Sequence, residues 1–201
     1  MNWDDFLPEV LPYVVGCGEA LAINHIIKAA REFCAGTLVW QVEAQVVTVA
    51  DQAVYAIPLA SGLEIVRLLN VNVNGTDYLV PNLTNGRRLA RASVRDLATL
   101  TGPKAITLSA APSAAGLPIL VECAVKPTLA AESWPDDLSE HVTDIAPGAI
   151  SSLCLLPKVD WTDSTAAATQ RVLFNDRKST VGHKVSKGFG RSQQAATVTF
   201  L

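Results

Sequence analysis

The sequence predicts an α+β protein: an antiparallel helix bundle built from both ends of the chain, with an inserted small β-barrel or sandwich and an extended C-terminal arm. Three observations lead there. Near both ends apolar residues recur every three to four positions, the spacing of one helical face, whereas from Val39 to about Lys126 they recur every second position, as in half-buried strands. After Gly182 neither period survives. The expected boundaries are 1–38 for the N-terminal helices, 39–130 for the β unit, 131–182 for the C-terminal helices and 183–201 for the arm.

Trp3, Phe6, Leu7 and Val10 stand at i, i+3, i+4 and i+7. Asp4 or Asp5 is placed to cap this short helix, which leaves Pro8 in the first turn, where a missing N–H does little harm. Pro12 and Gly16-Cys17-Gly18 end it. A second helix is expected over residues 19–35, burying Ile23, Ile26, Ile27, Ala30, Phe33 and Cys34. Lys28 and Glu32 form an i,i+4 pair on its other face, and His25 reads as solvated beside them.

In the middle, Val42, Ala44 and Val46 alternate with Glu43, Gln45 and Val47, and Val121, Cys123 and Val125 alternate with Glu122, Ala124 and Lys126. Residues 54–57, 64–73, 78–80 and 104–109 are further strand candidates. Asn74-Gly75 predicts a hairpin, because a type I′ turn needs positive φ at both central positions. The Pro/Gly/Ala stretch 110–118 reads as a second hairpin turn.

Helical spacing returns after Trp134-Pro135-Asp136-Asp137, an aspartate-capped start with a tryptophan placed to staple it. Leu138, Val142, Ile145, Ala149 and Leu153 follow; Pro147 should kink this helix and Pro157 ends it. Asp160-Trp161-Thr162-Asp163-Ser164 opens a last helix through about Val181, with Ala167, Leu173, Phe174 and Val181 inward. None of these helices can bury its stripe alone, so those at the two ends must pack together.

Hydrophobic residues make up 49% of the 201 and charged ones only 17%. That is apolar for a free monomer, and surplus apolar surface usually ends in subunit contacts, although an alanine-rich composition gives the same figures. The alanine-, glycine- and serine-rich face with Ala146, Gly148, Ala149 and Ser152 suits close helix packing across a seam between subunits. No apolar run approaches the ~20 residues of a membrane span, and the acidic N-terminus is unlike a signal peptide. Cys17, Cys34, Cys123 and Cys154 are scattered in apolar settings without metal-ligand spacing, as expected of free thiols in a reducing cytoplasm.

Catalytic, cofactor and metal sites are not expected. No nucleophile elbow, zinc-protease, phosphate-loop or dinucleotide motif occurs. His141 with Glu140 and Asp144 reads as an ordinary surface cluster, since a carboxylate three residues on is a common helix partner. Net charge is −3 but uneven: Arg171, Arg177, Lys178, Lys184, Lys187 and Arg191 face only Asp176 in the last stretch, a basic end that seeks an acidic partner. Arg87, Arg88, Arg91 and Arg95 form a second basic cluster that fits phosphate contacts, inter-subunit ion pairs or a solvated loop equally.

Taken in order, Trp3-Asp4-Asp5-Phe6-Leu7-Pro8-Glu9-Val10-Leu11-Pro12, Ala29-Ala30-Arg31-Glu32-Phe33-Cys34 followed by Trp40, Ala50-Asp51-Gln52-Ala53-Val54-Tyr55, the hairpin over 67–75, Trp134-Pro135-Asp136-Asp137, and Pro157 with Trp161-Thr162-Asp163 resemble the head-to-tail adaptor proteins of short-tailed double-stranded-DNA bacteriophages. The resemblance covers nearly the whole chain and rests on order and spacing; Pro147 and Gly182 depart from it. It implies a homo-oligomeric, dodecameric ring at the head-tail junction of the virion, coaxial with the portal protein and open for DNA to pass without sequence-specific binding. Helices would form the ring wall and the β unit would meet tail nozzle or fibre proteins. The arm would bind the portal, with Lys184, Lys187, Phe189, Arg191, Val198, Phe200 and Leu201 as its contacts. A tail-completion or tail-tube-terminator subunit is the alternative, ahead of a small cytoplasmic enzyme or a nucleic-acid-binding module.

Overall fold

Helical and alternating periods sort the apolar residues into two separate cores. The computed structural model describes residues 1–81 and 96–187 and combines helices with antiparallel sheet, the α+β class. Its helices, among the described residues, are α1 (Leu7–Val10), α2 (Glu19–Thr37), α3 (Val142–Cys154) and α4 (Ser164–Lys187). Its strands are β1 (Gln41–Val47), β2 (Val54–Ala56), β3 (Leu63–Val73), β4 (Thr76–Tyr78), β5 (Ala98–Gly102), β6 (Ala105–Leu108) and β7 (Pro118–Pro127).

Trp3, Phe6, Leu7 and Val10 are all buried, but only the last two sit in α1; Trp3–Phe6 is a 3-10 turn. The cap is Asn2 rather than either aspartate, and its backbone N–H donates to the Asp5 carboxylate at 2.8 Å. Phe6, Val10, Ile26, Ala30, Phe33, Ile145, Ala149, Leu153 and Phe174 meet in the helical core, which therefore joins the two ends of the chain. Trp134 sits at its edge nearest the sheet, its ring 5.8 Å from Trp3, 6.0 Å from Phe6 and 5.4 Å from Trp40. Its indole N–H donates to the Leu138 carbonyl at 2.9 Å, so the polar edge of a buried ring is satisfied.

Neither Pro147 nor Gly182 ends its helix. Pro147 lies inside a continuous α3. The carbonyl it leaves without a donor belongs to Thr143, in the exposed first turn, where water can replace the bond. Gly182 lies inside α4, which runs on to Lys187, so the first residues of the expected arm are helical. A Cβ at Gly182 would stand 3.6 Å from the Gly36 carbonyl oxygen, an ordinary contact, and one at Gly36 would meet only the Lys178 side chain, which passes over it.

The strands form a four-stranded sheet, β1-β7-β3-β4, and a three-stranded sheet, β2-β6-β5, with no closed barrel among the described residues. Tyr55, Leu68, Val71, Ile106, Leu108, Ile119 and Val121 share the second core. The Asn74-Gly75 turn is as expected, with φ of 49° and 84°, and it joins β3 to β4, two residues earlier than the strand anticipated at 78–80. Residues 110–118 are not a hairpin turn: β6 pairs with β2 and β5 while β7 pairs with β1 and β3, so this stretch crosses from one sheet to the other.

Candidate assembly surfaces

The small-residue face of α3 packs inside the subunit. Ala146, Gly148 and Ala149 are buried, and a Cβ on Gly148 would meet Phe174 of α4 at 2.9 Å and Ala29 of α2 at 3.1 Å. Ser152 is half-buried, its hydroxyl donating to the Ala149 carbonyl at 2.9 Å and lying 2.7 Å from His25 Nδ1. The helices that these residues bring together, α2, α3 and α4, belong to one chain, so Ala146, Gly148 and Ala149 are taken up inside the subunit rather than at a seam between subunits. His25 is accordingly buried rather than solvated. With the serine proton committed to Ala149, Nδ1 is the donor to Ser152. Burial first, and then Lys28, push the imidazole below its ordinary value.

Ion pairs fix the helices to each other and to the sheet. Glu32 turns away from Lys28: Arg171 donates to its two carboxylate oxygens at 2.6 and 2.9 Å and Lys178 donates at 2.8 Å. Burial pushes the Glu32 carboxyl up, and these hydrogen bonds outweigh it, leaving the group below the usual carboxylate range. Arg31 of α2 donates to the Pro127 carbonyl at 2.6 Å and to Glu64 at 2.8 Å, with Lys126 3.1 Å from the same Glu64 oxygen. This junction between α2, β3 and β7 was not anticipated, since its partners lie far apart in sequence. His141 is also buried, against Phe33, with Asp144 3.0 Å from Nδ1; Asp144 in turn accepts from Arg177 at 2.9 Å. The cluster is a helix-to-helix clamp beneath the surface, not a solvated pair. No group of three or more potential metal ligands occurs among the described residues, and no described helix is long and apolar enough to cross a membrane.

Of the 24 residues of α4, only Ala167, Phe174 and Val181 are buried, one every seven positions. A stripe that narrow leaves most of the helix to solvent or to a partner. Leu173, expected inward, is exposed, and Val172 beside it is 70% exposed. Elsewhere on the helical part Tyr13, Val15 (77% exposed) and Leu155 also present apolar side chains outward. The last turns of α4, with His183, Val185 and Ser186, border an open groove of about 400 Å³ whose other walls include Leu38 and Arg67. Lys184 and Lys187 lie on these same turns, both exposed. Phe189, Arg191, Val198, Phe200 and Leu201, and likewise Arg87, Arg88, Arg91 and Arg95, lie outside the described residues. No protein-family model matches this chain, and no curated protein does.

Proposed function

We propose that this chain is a structural virion protein, a ring-forming head-to-tail adaptor that joins a phage portal to its tail and leaves a channel for DNA. The observation that carries the reading is α4: a long helix that buries only three of its 24 residues on its own subunit and ends in a basic turn. A helix of that kind is explained when neighbouring subunits cover the rest of it. The element order supports the same reading, with terminal helices sharing one core and the strands of 41–127 in another. In this arrangement a helical bundle forms the ring wall, the β unit meets tail nozzle or fibre proteins, and residues 183–201 bind the portal.

A closed ring needs two different faces on each subunit. The outward side of α4 around Val172 and Leu173 serves as one, and the exposed Tyr13, Val15 and Leu155 as the other. Mixing the purified protein with purified portal rings tests the proposal by size-exclusion chromatography and averaged particle images. A coaxial ring on the portal is the expected result; no association at micromolar concentrations of both would sink it. Removing residues 186–201 should leave the circular dichroism spectrum of the folded body and weaken attachment. Equal attachment with and without them would place the portal contact on the helices instead.

A further inference from the structure

β1 is an edge strand: among the described residues it pairs with β7 on one side and with nothing on the other. The parity of its bonds is set at both ends, where Val125 N–H donates to the Trp40 carbonyl and Thr48 N–H to the Leu117 carbonyl, both at 2.8 Å. Even-numbered residues therefore bond to β7, and the N–H and C=O groups of Gln41, Glu43, Gln45 and Val47 point to the open side. The same four residues are exposed. Natural sheets blunt such edges with proline, lysine or a bulge; β1 is seven residues long, pairs with β7 in unbroken register and contains neither residue.

Charge selects what could fill this edge. Glu43 lies directly across from Glu122 of β7, and both are exposed. With no hydrogen bond between these two residues, their α-carbons are at the closer of the two antiparallel spacings. Like charges opposite each other disfavour a sheet, and neither glutamate has an ion-pair partner among the described residues. A second copy of β1 would bring another Glu43 to the same surface, with the Glu122 of its own β7 behind it. We infer that the open edge of β1 receives an extended segment of another protein, one that forms a β-strand and sets a lysine or arginine opposite Glu43. Backbone bonds from Gln41 to Val47 would supply affinity, and the acidic pair would choose the partner and its register. The inference rests on the open edge of β1 and the Glu43–Glu122 pair and does not depend on the adaptor reading.

The test uses a synthetic Thr/Val-alternating peptide with a central lysine, and the same peptide with glutamate in its place, read by amide hydrogen exchange of the whole protein. The lysine peptide should slow exchange at Gln41, Glu43, Gln45 and Val47, while Val42, Ala44 and Val46 are already slow without it. The glutamate peptide should bind about tenfold more weakly, and Glu43→Lys should reverse the preference. Three outcomes would overturn the inference: equal binding of both peptides, no protection with either, or odd-numbered amides already slow in the free protein. In the last case, dependence on protein concentration would identify a second copy as the occupant, and independence another part of the same chain.

Discussion

Gly148 lies against the Phe174 ring so closely that a Cβ on the glycine would stand 2.9 Å from two ring carbons. Gly148→Ala should therefore destabilise the protein by about 1–3 kcal/mol from overpacking, against a gain of about 1 kcal/mol in helix propensity. Phe174→Leu in the same chain should recover part of the loss. Urea unfolding of the isolated subunit checks this. A variant as stable as the parent would mean that α3 and α4 are spaced more loosely than 2.9 Å implies.

Acid should unfold the protein in two stages. His25 is held below its ordinary value, so as pH falls from about 7 to 5 the unfolded chain takes up a proton that the folded chain resists, and stability declines. Glu32 and Glu64 are held below the usual carboxylate range, so their contribution is present above about pH 4.3 and is lost below it, as the folded carboxyls protonate. His25→Gln should shrink the difference in midpoint between about pH 7 and pH 5 while leaving the lower stage in place. Thermal melts across this range measure both.

Trp134→Ala should cost about 3–5 kcal/mol, since the ring is buried among Trp3, Phe6 and Trp40 and supports both the start of the chain and the approach to β1. Trp40 touches both cores, so its near-ultraviolet dichroism should change in this variant even where the helical signal is kept.

All four cysteines are buried, with burial pushing the Cys34 thiol up to about 12 and Cys123 to about 11. Labelling of these two by a disulfide reagent near pH 8 should follow the unfolding rate rather than thiol chemistry, because the thiolate is the reactive form. Labelling much faster than global unfolding would reveal local opening of α2 or β7.

Much of the fold is legible in the sequence because it rests on local periodicity. The second helix extends two residues beyond its expected end, and Asn74-Gly75 announces its turn through the φ angles that only certain residues tolerate. What was missed depends on partners distant in the chain. His25 stands beside Lys28 and Glu32 in sequence, yet Ser152 lies 2.7 Å from its ring and holds it inside. Glu32 has a lysine four residues away but is claimed by Arg171 and Lys178 from the far end. Strand β5, Ala98–Gly102, carries too few β-branched residues in a row to stand out, and it exists because β6 pairs with it. Of the surfaces, the basic end of α4 can be read directly from Lys184 and Lys187. The open edge of β1 cannot, because alternation reveals a strand but not which side of it lacks a neighbour.

The helical core that closes Phe33 against Phe174 also sets a timetable for synthesis. The ribosome makes α2 early, but the helices that cover its apolar stripe are encoded more than a hundred residues later. At elongation rates of about 5–20 residues per second, that stripe waits on the order of ten seconds for its partners. The strands between have no such delay, since every pairing in both sheets is complete once Pro127 has emerged. The nascent chain thus carries a β unit with its pairings made beside an amphipathic helix covered only by the N-terminal residues and β7, and the uncovered part of that helix is what a chaperone would find.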